Sequence, residues 1–217
     1  MARIDMFEIA VVAFTTFFAT IGPIDVAAMF AAMTPKASSA FRRSMAVRGT
    51  LVASLILLLF ALVGEFLLQS LGISLAALKV AGGILLLLIG IDMVFARSSG
   101  GTTTTSEETS EAVGKHDISI FPLATPLIAG PGTMGATILL MANAKGDLMA
   151  EFVILAALVV VLLLTMTLLL VATKVQKLFG VTGMHVVSRV FGVLLTALAV
   201  QFMFDGILQS GLIPGVS

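Results

Sequence analysis

A chain of 217 residues that is 59% hydrophobic and 11% charged, with a mean hydropathy of +1.17, cannot dress a globule in polar surface; soluble domains carry about 25% charged residues. Acidic and basic side chains balance to zero formal net charge, and without a basic stripe the composition argues against a nucleic-acid partner. The absence of Cys excludes disulfides and thiolate metal centres, and two histidines, His116 and His185, are too few to chelate a metal.

A membrane span needs about 20 mainly apolar residues. Six segments qualify: 7–33, 47–70, 75–95, 118–142, 152–173 and 186–208. The first follows Met1-Ala2-Arg3-Ile4-Asp5 and is too long for a signal-peptide core, so it reads as a retained span. Trp and Tyr are absent; any interfacial aromatic belt falls to Phe. Both histidines fall beside predicted loops.

Within the first span stands Thr20-Ile21-Gly22-Pro23-Ile24, and within the fourth Ile128-Ala129-Gly130-Pro131-Gly132. Proline removes an N–H and clashes with the carbonyl four residues back, so each pair predicts a broken helix. Breaks at membrane depth survive only where protein or a water-filled cavity satisfies the backbone. Paired breaks in two halves point to the central site of a repeat-built transporter.

Between the third and fourth spans, residues 97–117 are rich in Ser, Thr and Gly and carry Glu107, Glu108 and Glu111. Such a stretch predicts a polar flexible linker. It divides the chain into two three-helix halves, 1–96 and 118–217. Gly22 and Pro23 map onto Gly130 and Pro131 at an offset of 108, and Gly83 maps onto Gly192 at 109. Lys79 and Arg189 are each expected in the first turn of the last helix of their half. Three is an odd number of spans, so the two halves are expected to form an inverted repeat.

Lys36, Arg42, Arg43, Arg48, Arg97, Lys115, Lys174, Lys177 and Arg189 fall at one set of alternate loops; Arg3, Lys79 and Lys145 fall at the other. Cytoplasmic loops carry the Lys and Arg excess. Both termini are therefore expected outside the cytoplasm.

Each helix that resumes after proline offers free N–H groups and a positive dipole end, which suit a substrate carboxylate. The candidate binding residues are Gly22, Pro23, Ile24, Asp25, Gly130, Pro131, Gly132 and Thr133. Asp25 can cap the resumed helix or carry a coupling proton or cation. Thr133, at the matching position, can cap but carries no charge. Thr20, Thr125, Gln201 and Asp205 are added as pathway or coupling candidates. Ser188, Gly192 and Thr196, four residues apart, read as a small-residue packing ridge.

The stretch Asp117-Ile118-Ser119-Ile120-Phe121-Pro122-Leu123-Ala124-Thr125-Pro126-Leu127-Ile128-Ala129-Gly130-Pro131-Gly132 resembles a signature of the MarC-related family of six-helix membrane proteins, also classed as neutral amino acid transporters. Gly72-Ile73-Ser74 with Lys79-Val80-Ala81-Gly82-Gly83-Ile84-Leu85 is similar to its second signature. Arg189-Val190-Phe191-Gly192 with Ala199-Val200-Gln201-Phe202-Met203-Phe204-Asp205-Gly206 is similar to its third. One departure stands out: where the family has Asp or Asn, Pro, an aliphatic, Gly and Asn, this chain reads Gly22-Pro23-Ile24-Asp25-Val26.

The resemblance implies small neutral amino acids, of the glycine or alanine type, as substrates. The expected protein is an all-α, inner-membrane secondary transporter working by alternating access. It needs no cofactor beyond a coupling ion, H+ or Na+, and the reading leaves room for an oligomer. No G-x-x-x-x-G-K-[ST] loop supplies ATP chemistry. No His-, Cys- or Ser-based constellation within the spans suggests an enzyme. The rival readings are a passive channel or exporter of small polar metabolites, and a non-transporting scaffold.

Overall fold

The computed structural model describes residues 6–34, 37–95, 117–144 and 146–211, with 173–185 described by backbone only. Most of the 97–117 linker, His116 and the His185 side chain lie outside the described residues. The helices are α1 (Met6–Ile21), α2 (Pro23–Met33), α3 (Ser39–Ser70), α4 (Leu75–Phe95), α5 (Ser119–Ile128), α6 (Pro131–Ala144), α7 (Leu148–Leu170) and α8 (Ala172–Gln209). No strand occurs among the described residues.

Five segments are long and apolar enough to cross a membrane: α1 with α2, α3, α4, α7 and the part of α8 from Val186. The α5–α6 pair, bent by 53°, makes a sixth if it counts as one span. Their outer faces are apolar. On α3, Leu51, Leu55, Leu62 and Phe66 point outward, while Gly49, Thr50, Ala53, Leu57, Ala61 and Gly64 point inward. Small residues inside and large ones outside suit a bundle whose solvent is lipid, where close helix packing replaces the hydrophobic drive.

The tightest packing joins α4 to α8. A β-carbon at Gly83 would lie 2.7 Å from the Ala199 carbonyl oxygen, one at Gly90 3.0 Å from the Gly192 oxygen, and one at Gly206 2.8 Å from the Ala76 oxygen. Position rises on one helix as it falls on the other, so α4 and α8 run antiparallel along a ladder of small residues spaced seven apart. Gly192 and Thr196 belong to this ladder, as the packing reading expects; Ser188 does not.

Two sequence expectations need correction. The loop expected between the fifth and sixth spans is absent: α7 ends at Leu170 and the backbone is helical again from Ala172. The Lys174-to-Leu178 stretch is polar at several positions yet built from good helix formers, and polarity alone does not break a helix. Arg189 accordingly lies well inside α8, not in its first turn.

The second correction concerns α5, expected as a regular helix up to Gly130. Phe121 (φ −128°, ψ 126°) and Thr125 (φ −139°, ψ 129°) are extended, each before a proline in a cis peptide bond. Wide turns close around them: the Leu123 amide donates to the Ile118 carbonyl at 3.1 Å and Ala129 to Ala124 at 2.9 Å. A residue before proline is pushed out of the helical region, and Pro122 and Pro126 impose that twice. The segment is largely buried in protein, as irregular backbone at membrane depth requires.

Candidate functional site

The α1–α2 junction turns on one residue. Gly22 adopts φ 60°, ψ 58°, a left-handed conformation that costs glycine nothing sterically. Its amide still donates to the Phe18 carbonyl at 3.0 Å, closing α1, and its own carbonyl accepts from Val26 at 2.9 Å, opening α2. Pro23 is the first residue of α2, where its missing N–H costs nothing. Among the five single segments long and apolar enough to cross a membrane, the one that carries this junction is the most buried.

The N-cap of α2 is thus Gly22, with no side-chain cap. Asp25 is the third residue of the helix, where its charge still meets the positive end of the dipole. Its Oδ2 accepts a 2.8 Å hydrogen bond from the Ser188 hydroxyl of α8. The Phe18 and Phe191 rings, 4.1 Å apart between centroids, close the same contact from one side. Phe18, Gly22, Ile24, Asp25, Met93 and Ser188 border a pocket of about 10 Å3, the room for a single water. This junction is shut.

The second junction is built differently. Pro131 begins α6, and the Gly130 carbonyl accepts the first helical bond from Met134 at 3.0 Å. Gly130 and Gly132 are buried and Thr133 is 1% exposed. The Thr133 hydroxyl has no hydrogen-bond partner, so it does not cap the helix as the sequence suggested it can. An unpaired buried hydroxyl costs about 1–3 kcal/mol.

The pathway candidates scatter. Thr20 is buried and its hydroxyl donates to the Thr16 carbonyl at 2.8 Å, inside its own helix. Thr125 is half-buried in the α5 turns. Gln201 donates to Asp205 at 2.8 Å on an exposed face of α8, roughly 20 Å along the helix from Ser188 at the usual rise. The structure does not bring that pair to the Gly22 junction. Ser188 was missed as a partner of Asp25 because one sequence shows no contact between positions 163 apart.

Residues 7–210, almost the whole chain, match the family described as MarC family integral membrane protein. The chain belongs to the MarC family. It is 38% identical over 91% of its length to a UPF0056 membrane protein of Methanocaldococcus jannaschii, covering 95% of that relative. It is 30% identical to the UPF0056 membrane protein YhcE of Escherichia coli, over 94% of this chain and 93% of that one. It is 34% identical to the UPF0056 inner membrane protein YhgN of the same species, over 76% and 79%. No solved structure matches. As a member of the MarC family the chain is a multi-pass integral membrane protein in contact with lipid, and the sequence resemblance held.

The first MarC-like signature begins at Asp117, whose two oxygens tie the start of α5 to α3. Oδ1 accepts from the Ser119 amide at 2.9 Å, and Oδ2 pairs with Arg48 at 3.1 Å. Beneath this pair Gly49 gives α5 room, since a β-carbon there would lie 2.9 Å from the Ser119 carbonyl oxygen.

Proposed function

We propose that this protein is a secondary transporter of small neutral amino acids across the cytoplasmic membrane, working by alternating access. The observation that carries the reading is the Thr133 hydroxyl, buried and unpaired at the N-terminus of α6, directly after Gly130-Pro131. Free N–H groups at a helix start attract a carboxylate, and a hydroxyl within the same turn adds a further donor. Gly132 presents no side chain to keep a small substrate from the backbone. The α2 N-terminus, guarded by Asp25, repels a carboxylate and is suited instead to a substrate ammonium or a coupling cation.

The shut pocket at the Gly22 junction supports alternating access over an open channel, since a pocket of about 10 Å3 admits no amino acid. The antiparallel α4–α8 pair supports an inverted repeat, because the last helices of two inverted halves must run in opposite directions. Uptake of labelled glycine and alanine into proteoliposomes, with and without proton and sodium gradients, tests the proposal. Gradient-driven accumulation is expected; no flux of either, or flux indifferent to both gradients, overturns it.

A further inference from the structure

A cavity of about 360 Å3 opens where the start of α3 meets the end of α7, lined by Ser39, Arg42, Arg43, Leu169, Leu170 and Ala172. No residue of either junction is among its described lining residues, and the proposed transport cycle does not use it. We propose that this cavity binds a phosphate group.

The donors are cationic and convergent. α3 is 32 residues long, about 48 Å at the usual rise, against a hydrocarbon core of about 30 Å. Its first turns therefore project toward the headgroups, and they carry Arg42 and Arg43. The helix start adds its own positive end. The Ser38 hydroxyl accepts from the Phe41 amide at 3.3 Å, which leaves the amides of Ser39 and Ala40 unused by the helix. Arg42 Nε is buried and has no hydrogen-bond partner. Two guanidinium forks beside a helix start match the oxygens of a phosphate.

An ordinary structural role accounts for less. Arginines beside the C-terminal end of α7 gain from its dipole, but that leaves Arg42 Nε buried without an acceptor. No acidic side chain is among the described residues lining the cavity. The opposite wall is apolar, with Leu169 buried and Leu170 43% exposed. A charged floor beside an apolar wall fits a phospholipid headgroup with its acyl chain along α7. Free phosphate would use the same donors.

Native mass spectrometry on the full chain in detergent separates the sources. Phosphatidylglycerol should bind at least tenfold tighter than phosphatidylcholine. The paired variant Arg42→Gln/Arg43→Gln should bind it roughly thirtyfold more weakly, as two interfacial cations are lost. Arg48→Gln, which removes the cation paired with Asp117 and not among the residues lining this cavity, should leave the affinity unchanged. Displacement of the lipid by millimolar inorganic phosphate would identify free phosphate as a ligand of the same site; its failure would assign the site to the lipid. Equal binding of the two lipids by the wild type, with no binding of inorganic phosphate, overturns the proposal even if the double variant does not fold. So does undiminished phosphatidylglycerol binding by a folded double variant.

Discussion

Asp25 and Ser188 are 163 positions apart, and their bond joins α2 to α8. A hydrogen bond to a charged group contributes about 1.5–3 kcal/mol. Ser188→Ala should therefore lower thermal stability in detergent by about 1–2 kcal/mol. Its effect should be mostly absent in an Asp25→Ala background, and additive losses in that double-mutant cycle would mean that the two groups are not coupled. Asp25→Asn keeps an acceptor for Ser188 but carries no charge. Near-normal stability with loss of gradient-driven accumulation is the outcome expected if Asp25 handles the coupling ion. Thr133→Val tests the other junction, because it keeps the shape and deletes the unpaired hydroxyl. The variant should be at least as stable as the wild type, while glycine uptake falls about tenfold or more. Unimpaired uptake by Thr133→Val would remove that hydroxyl from the substrate site.

Glycine has different duties in different helices, and the spacing to neighbours separates them. At Gly83 a β-carbon would press on backbone, 2.7 Å from the Ala199 oxygen; at Gly135 the nearest atom would be 3.9 Å away. Gly83→Ala should therefore push α4 from α8 and cost about 1–3 kcal/mol. Gly135→Ala, inside α6, should be neutral or stabilising by up to about 1 kcal/mol from helix propensity. Thermal unfolding of the two variants side by side checks the pair; equal effects would deny the ladder. Element positions were mostly legible because long apolar runs announce helices of membrane length. The α5 turns were not read, although Pro122 and Pro126 announced them through the residues they follow. The α7–α8 boundary was misread for the opposite reason: a polar stretch with sound helix propensity was taken for a loop. The Gly-Pro positions were legible one by one, but the partner of Asp25 was not, since it is chosen by packing between distant helices.

At the scale of the whole molecule, the bent α5–α6 pair has two geometries open to it, a crossing of the bilayer or a dip and return. Neighbouring contacts favour a crossing. Near the start of α3, Gly49 abuts Ser119 and Leu123; near its end, Gly64 abuts Ile138. Roughly 22 Å of helical rise separates Gly49 from Gly64, so α5–α6 travels alongside α3 in the same direction for most of the hydrocarbon thickness. Against α4 the order reverses, with Gly82 beside Leu139 and Leu85 nearest to Gly135. A segment that doubled back would return to the end of α3 from which it began. With six crossings the α3–α4 and α6–α7 connections are expected on one face, and the Lys and Arg excess predicts that the other face is cytoplasmic. The natural chain contains no Cys, so single cysteines at exposed Leu71 and Leu148 can be labelled without background. A membrane-impermeant maleimide added outside intact cells should reach both Leu71→Cys and Leu148→Cys. Labelling of Leu71→Cys alone would make α5–α6 re-entrant, leave five crossings and abolish the inverted repeat. Labelling of neither from outside, with both reached from the cytoplasmic side, would keep the six crossings and reverse the orientation.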